Sequence, residues 1–195
     1  RFSVGRARNA AEARLEWSLR PALLVLPVDR EAFDPYAWLA LAKGRPGVKV
    51  LLVLDPDENP AFVRSLLGKG ACGYVERTSD AAALPALLER ALVGERVEEG
   101  EAVCRALADY EAVRQRYAPL LDLFESLSDT AFASLVGPLA GDSDAETAER
   151  LSRVVRSVRD ARSEAKKTLL RAGFTCESVI EAITELRLAE KTAGR

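Results

Sequence analysis

A chain of 195 residues, 48% hydrophobic and 30% charged, fits one large or two small globular domains. Lys+Arg 28 against Asp+Glu 30 gives a net charge of -2, so nucleic-acid contact would need a local patch. With no histidine in the chain, His-based acid–base chemistry, Ser-His-Asp and Cys-His arrangements and imidazole ligation of metals are excluded.

In chain order, Phe2–Ala7 is predicted as a strand and Ala10–Leu19 as a helix. Leu23–Leu26 is a short apolar run of the kind buried on both faces of a parallel sheet. Tyr36–Lys43 reads as a helix stopped by Gly44 and Pro46. Val48–Leu54 is a second apolar run. Asp57–Pro60 supplies cap-type residues to a helix carrying Phe62, Val63, Leu66 and Leu67, which ends at Gly70. Cys72–Val75 is a strand, and Ser79 is expected to cap a helix carrying Leu84, Leu87, Leu88 and Leu92. Strands alternating with helices predict a parallel sheet covered on both faces. α/β proteins place their chemistry at the carboxyl ends of such strands, where Pro27, Asp55 and Arg77 stand.

Strand signals stop after Gly100. Glu101–Tyr117 is a strong helical run in which Val103, Tyr110 and Tyr117 recur every seven residues, with Ala106 and Val113 between them. Two readings stand: a linker helix packed on its own domain, or a dimerisation helix using Val103, Tyr110, Val113 and Tyr117. Pro119 punctuates the chain, and Leu120–Lys191 reads as helical around a turn at Gly141-Asp142-Ser143-Asp144, with Ser143 as a cap. The expected division is a first domain over 1–97, a linker or dimerisation helix over 98–118, and a helical domain over 119–195.

Cys72, Cys104 and Cys176 show no metal-type spacing and are expected to be buried as small apolar residues. Their odd number fits a reducing cytosol. No run approaches the roughly 18 apolar residues of a membrane span, and no signal peptide is visible although the chain starts at Arg1 without Met. The expected location is cytoplasmic, with no membrane partner and no cofactor or metal.

The segment Pro56–Asp80, with Gly-Ala-Cys-Gly-Tyr-Val at Gly70–Val75, resembles the receiver domain of NarL/LuxR-type response regulators. The likeness covers roughly residues 1–95 and begins at the family's second strand. It places the first strand, with its acidic metal-binding pair, upstream of Arg1. It implies a receiver-like (flavodoxin-like) α/β fold. Carried over by position, it puts Pro27 where the phosphoacceptor aspartate belongs, Asp55 at the switch Ser/Thr and Arg77 at the lysine. Tyr74 keeps the switch aromatic. Proline has no nucleophile, so no acyl phosphate can form there, and Asp55 would repel a phosphoryl group. Asp29 is the nearest other carboxylate. If the two strand ends are neighbours, Asp55 and Arg77 can form a charge-assisted pair that substitutes for the switch; the other reading is two solvated charges on a loop rim.

Leu127–Leu151 is similar to the family's helix-turn-helix output domain. Leu127-Ser128, Leu135, Gly141, Ser143, Glu146, Ala148, Glu149, Arg150 and Leu151 lie at the family's spacing, with Thr147 replacing isoleucine. The family's Gly-Ile-Ser turn is here Ser152-Arg153-Val154, and about three extra residues precede Ala172-Gly173-Phe174. The resemblance therefore implies a recognition helix that is lengthened or fused to the one before it. On that helix Leu151, Val154, Val155, Val158, Ala161, Ala165 and Leu169 form one apolar stripe. Arg153, Arg156, Arg159, Lys166, Lys167 and Arg171 lie opposite, diluted by Asp160 and Glu164. Ser157 and Arg159 fall at the family's DNA-approaching positions. Two readings of this face stand, a solvated charged surface or a DNA contact, and for the second the expected DNA-binding set is Arg153, Arg156, Ser157, Arg159, Lys166 and Lys167.

The expected function is a non-enzymatic, phosphorylation-independent transcription regulator, homodimeric, with DNA as partner and a protein partner on the receiver surface. The alternative is a signalling scaffold or assembly module acting through protein–protein contacts.

Overall fold

The computed structural model describes Glu12, residues 21–28 and residues 34–191. The predicted strand Phe2–Ala7, the predicted helix Ala10–Leu19 apart from Glu12, and Asp29 lie outside the described residues. The chain divides into two compact units, the first reaching Tyr110 and the second spanning Glu111–Leu188.

Lys49–Leu54 (β2) shows why the first unit is a parallel sheet. Val50, Leu52 and Leu54 contribute to one apolar cluster and Leu51 and Val53 to another, as alternation requires of a strand covered on both faces. β2 lies between Leu23–Pro27 (β1) and Gly73–Glu76 (β3), and Val97–Glu99 (β4) follows, so the order is β1-β2-β3-β4 with every pair parallel. On one face, Trp38 and Leu39 of Pro35–Lys43 (α1) and Val63 and Leu66 of Pro60–Gly68 (α2) join Leu26, Val50, Leu52, Leu54 and Tyr74. On the other, Leu87 and Ala91 of Leu84–Leu92 (α3) pack with Leu51, Val75 and Val97.

The first two helices start where their caps dictate. The Asp34 carboxylate accepts from Tyr36 N and the Asn59 amide oxygen from Phe62 N, each ahead of a proline in the first turn. Ser79 does not cap α3. The helix begins at Leu84 with no side-chain cap, because Asp80 Oδ1 takes the Ala82 N–H and closes a turn over the intervening alanines, while proline in the first turn sets the helical φ. β4 has no counterpart in the sequence-based reading. Its Val-Glu-Glu carries one apolar residue and no periodicity.

Glu101–Arg116 (α4) spans the limit between the units. Val103 belongs to the first sheet cluster and Tyr110 is buried within the chain, while Val113 and Tyr117 stay half-buried. The burial expected of the cysteines does not hold: Cys104 and Cys176 are exposed and Cys72 is intermediate. Cys104 follows Val103 at the rim of α4, and Cys176 opens the final helix.

The second unit is all-α. Ala118–Ser126 (α5), Asp129–Val136 (α6), a 3-10 turn at Gly137–Ala140, Asp144–Arg150 (α7), Val155–Arg171 (α8) and Cys176–Lys191 (α9) follow in order. Leu120, Leu169, Val179 and Ala182 form its core, with Leu123, Phe124 and Leu135 packed against it. Ser143 and Glu146 form a reciprocal capping box, which satisfies two first-turn donors of α7.

Candidate functional site

The position that the resemblance assigns to a phosphoacceptor is a strand end without a nucleophile. Pro27 closes β1 opposite Val53, and the next amide, Val28 N, donates to Val53 O at 3.0 Å. N–H groups alternate sides along a strand, so the one Pro27 lacks would point away from β2, and the ladder loses no bond. Asp55 follows β2 and Arg77 follows β3, and Arg77 N donates to Leu54 O at 2.7 Å. This brings Arg77 Nε to 2.6 Å from Asp55 Oδ1. The pair is about half exposed, at 53% and 45%, so it is worth at most about 1 kcal/mol. It closes the carboxyl edge of the sheet between β2 and β3 with an internal contact.

Tyr74 does not join that pair. Alternation along β3 turns it onto the α1/α2 face, where it is 1% exposed and its hydroxyl lies 3.0 Å from Cys104 Sγ. Burial, then the Cys104 contact, pushes its phenol pKa well above the ordinary value. Two residues on, Glu76 faces the same way. It is 9% exposed, takes the Thr78 hydroxyl on Oε1, and accepts from Val103 N on Oε2 at 3.3 Å. A carboxylate at this helix N-terminus satisfies an orphan donor and complements the dipole. Sequence reasoning missed Glu76, although a carboxylate two residues from an inward aromatic in a strand was the available signal.

A cleft of about 280 Å³ lined by Leu39, Ala42, Lys43, Val48, Val50, Gly68, Lys69 and Gly70 lies at the opposite end of β2 from Asp55. Among the described residues no group of His, Cys, Asp or Glu could hold a metal ion. No helix there is long and apolar enough to cross a membrane.

In the second unit, α7 and α8 are joined by Leu151–Val154. The second helix is therefore separate from the one before it and 17 residues long, not fused to it. Ser152 N donates to Glu149 O at 3.0 Å and Arg153 N to Ala148 O at 2.8 Å, with Ser152 at φ 51. That is a left-handed helix stop of the type glycine usually fills. The turn survives with serine in a conformation that disfavours a Cβ. Ser152→Gly is therefore expected to raise stability by about 0.5–1 kcal/mol, read as a higher urea midpoint. A lower midpoint would contradict the left-handed placement.

The predicted stripe on α8 is mostly inward: Val158, Ala165 and Leu169 are buried, and Leu151, Val155 and Ala161 half-buried. Val154 departs from it at 67% exposed, because as N-cap it is extended and out of helical phase. The opposite side is basic and exposed. Val155–Arg171 carries six cations against two carboxylates. Arg153, Arg156, Ser157, Arg159, Lys166 and Lys167 all lie at the surface. Arg156 Nε stands 3.9 Å from Asp160, and Lys167 Nζ 2.5 Å from Glu164. Arg159 Nε donates to Asp144 Oδ2 at 2.8 Å. Arg153 and Lys166 have no carboxylate partner among the described residues.

Arg162, absent from the predicted set, is 19% exposed and structural. Its Nε donates to Ser134 O at 2.6 Å, and its Nη2 lies 2.6 Å from Asp144 Oδ1. Its place between Val158 and Ala165 at the edge of the stripe was the available signal. The Arg159 hydrogen bond, helped by the Arg162 guanidinium beside it and opposed by desolvation, holds the Asp144 carboxyl below the usual carboxylate range. Behind it, Thr147 Oγ1 is fully buried without a hydrogen-bond partner. A Cβ on Gly137 would come within 2.6 Å of it.

The chain is similar to response regulators of solved structure. One is a structure of two RcsB dimers bound to two parallel DNAs, 17% identical, covering 91% of this chain and 82% of that chain with a TM-score of 0.48. Another is the response regulator ChrA of a heme-sensing two-component system, 20% identical, covering 86% and 77% with a TM-score of 0.38. A third is RcsB from Salmonella enterica serovar Typhimurium bound to a promoter, 18% identical, covering 90% and 81% with a TM-score of 0.47. No family model matches the chain and no curated protein matches it.

Proposed function

We propose that this chain is a response-regulator-like transcription regulator that binds duplex DNA through α7 and α8 and works without phosphorylation. The observation that carries the reading is the exposed basic face of α8, set behind a short turn and a capped preceding helix, with an apolar stripe anchoring its other side. A helix so presented suits the major groove, and its cations can neutralise backbone phosphates. Pro27 offers no acceptor and Asp55 already holds Arg77. Input would come from a protein partner on the receiver surface, a small ligand or abundance.

Two copies on paired half-sites complete the reading. Val103 and Tyr110 are already buried within the chain, so the pairing surface would draw on Val113, Tyr117 and neighbours rather than on the whole seam.

One observation favours a protein-binding scaffold instead. Asp144, Asp160 and Glu164 each sit beside a cation of the same face. A salt titration of binding to duplex DNA separates the two. The DNA reading expects affinity to fall steeply with salt, and Arg153→Ala, Arg156→Ala and Lys166→Ala each to reduce the log–log slope by about 0.9. Salt-insensitive self-association with no DNA retention would establish the scaffold.

A further inference from the structure

We propose that Arg159 is the base-reading residue of α8 and that Asp144 positions it, the ligand being the O6/N7 edge of a guanine in duplex DNA. This rests on the DNA-binding reading above. Arg159 stands in the second turn of α8, and the early turns of the second helix of such a motif are the ones that approach base edges. Its side chain is 68% exposed, and its Nε–H is taken by Asp144 Oδ2 at 2.8 Å. A bond through Nε fixes the plane of the guanidinium while using one of its five N–H groups. The terminal nitrogens form the fork that matches guanine O6 and N7.

Asp144 is itself held from behind. Its other oxygen, Oδ1, lies 2.6 Å from Nη2 of the half-buried Arg162, whose Nε is anchored on Ser134 O at 2.6 Å. The chain of contacts from the Ser134 carbonyl through Arg162 and Asp144 to Arg159 orients the outer guanidinium before any ligand arrives. Preorganisation of this kind removes part of the ordering cost of binding. Arg156, one turn earlier and 92% exposed, has only Asp160 at 3.9 Å and no such support.

Geometry separates the roles further. Asp144 is shared between Arg159 and Arg162, so the cluster keeps a net positive charge, and what sets Arg159 apart is the direction in which its terminal nitrogens are held. The directional hydrogen-bonding fork is left intact, and that is what distinguishes one base from another. Arg153 and Lys166, with no carboxylate beside them, keep their full charge for the backbone.

The test is selection of the full chain against a library of random-sequence duplexes, followed by a salt titration on the selected duplex. Wild type is expected to enrich a guanine at a fixed position. Arg159→Ala and Arg159→Lys should both lose that guanine, and the salt slope of Arg159→Lys, which keeps the charge, should stay within about 0.3 of wild type. Arg153→Ala should keep the guanine and lower the slope. Asp144→Asn, checked for an intact unfolding transition, should weaken the guanine preference without lowering retention on unselected DNA. Enrichment of the same guanine by Arg159→Ala would overturn the assignment and leave the DNA-binding reading standing. Failure of wild type to retain any duplex at low salt would overturn both.

Discussion

Gly73→Ala is expected to remove about 3–5 kcal/mol from the first unit, most of what a domain of this size holds in reserve. Gly73 sits in β3 at φ 154, directly opposite Val97 of β4. A Cβ built there would lie 2.7 Å from the carbonyl carbon and the amide nitrogen of Val97, and closer still to its carbonyl oxygen. All three atoms are backbone, so no side chain can swing aside. β4 would have to leave the sheet, taking the fully buried Val97 out of the cluster with Leu51, Val75, Leu87 and Ala91. Urea unfolding followed by far-UV circular dichroism should show the transition of this unit collapse to low denaturant. A loss under about 1 kcal/mol would mean that β4 does not pair here.

Glu76→Ala should cost about 2–3 kcal/mol, whereas Glu76→Gln should cost about 1. The carboxylate accepts the Val103 N–H in the first turn of α4 and the Thr78 hydroxyl, and it is nearly buried. Alanine leaves the amide without an acceptor and opens a void, while glutamine keeps one acceptor oxygen and the volume. Gly100 makes the fit close, since a Cβ there would come within 2.7 Å of Glu76 Oε2. Hydrogen exchange at the Val103 amide reads the cap directly, and alanine should accelerate it far more than glutamine. Equal exchange in the two variants would rule out capping by Glu76.

Much of this was legible in the chain because local signals agreed. Val-Leu-Leu-Val-Leu within β2 can be buried on both faces, and α2 announces itself through Asn59-Pro60. Ser143 with Glu146 fixes the start of α7. What escaped was decided by partners distant in sequence. β4 is a strand only because Gly73, Tyr74 and Val75 receive it. Glu76 meets an amide 27 residues on, and Arg159 a carboxylate 15 residues back, distances that no helical or strand period encodes. The Ser152 stop was obscured because serine stands in a backbone state usually signalled by glycine. The Asp55–Arg77 pair was foreseeable once β2 and β3 are neighbours, because each residue directly follows its strand.

Pro27 has a consequence beyond the missing nucleophile. Among the described residues β1 is an outer strand, and alternation turns the Leu23 and Val25 amides to the side away from β2. At the third such position the imide supplies no donor. Any strand laid along that side of β1, from this chain or another, finds its ladder one bond short at the carboxyl end.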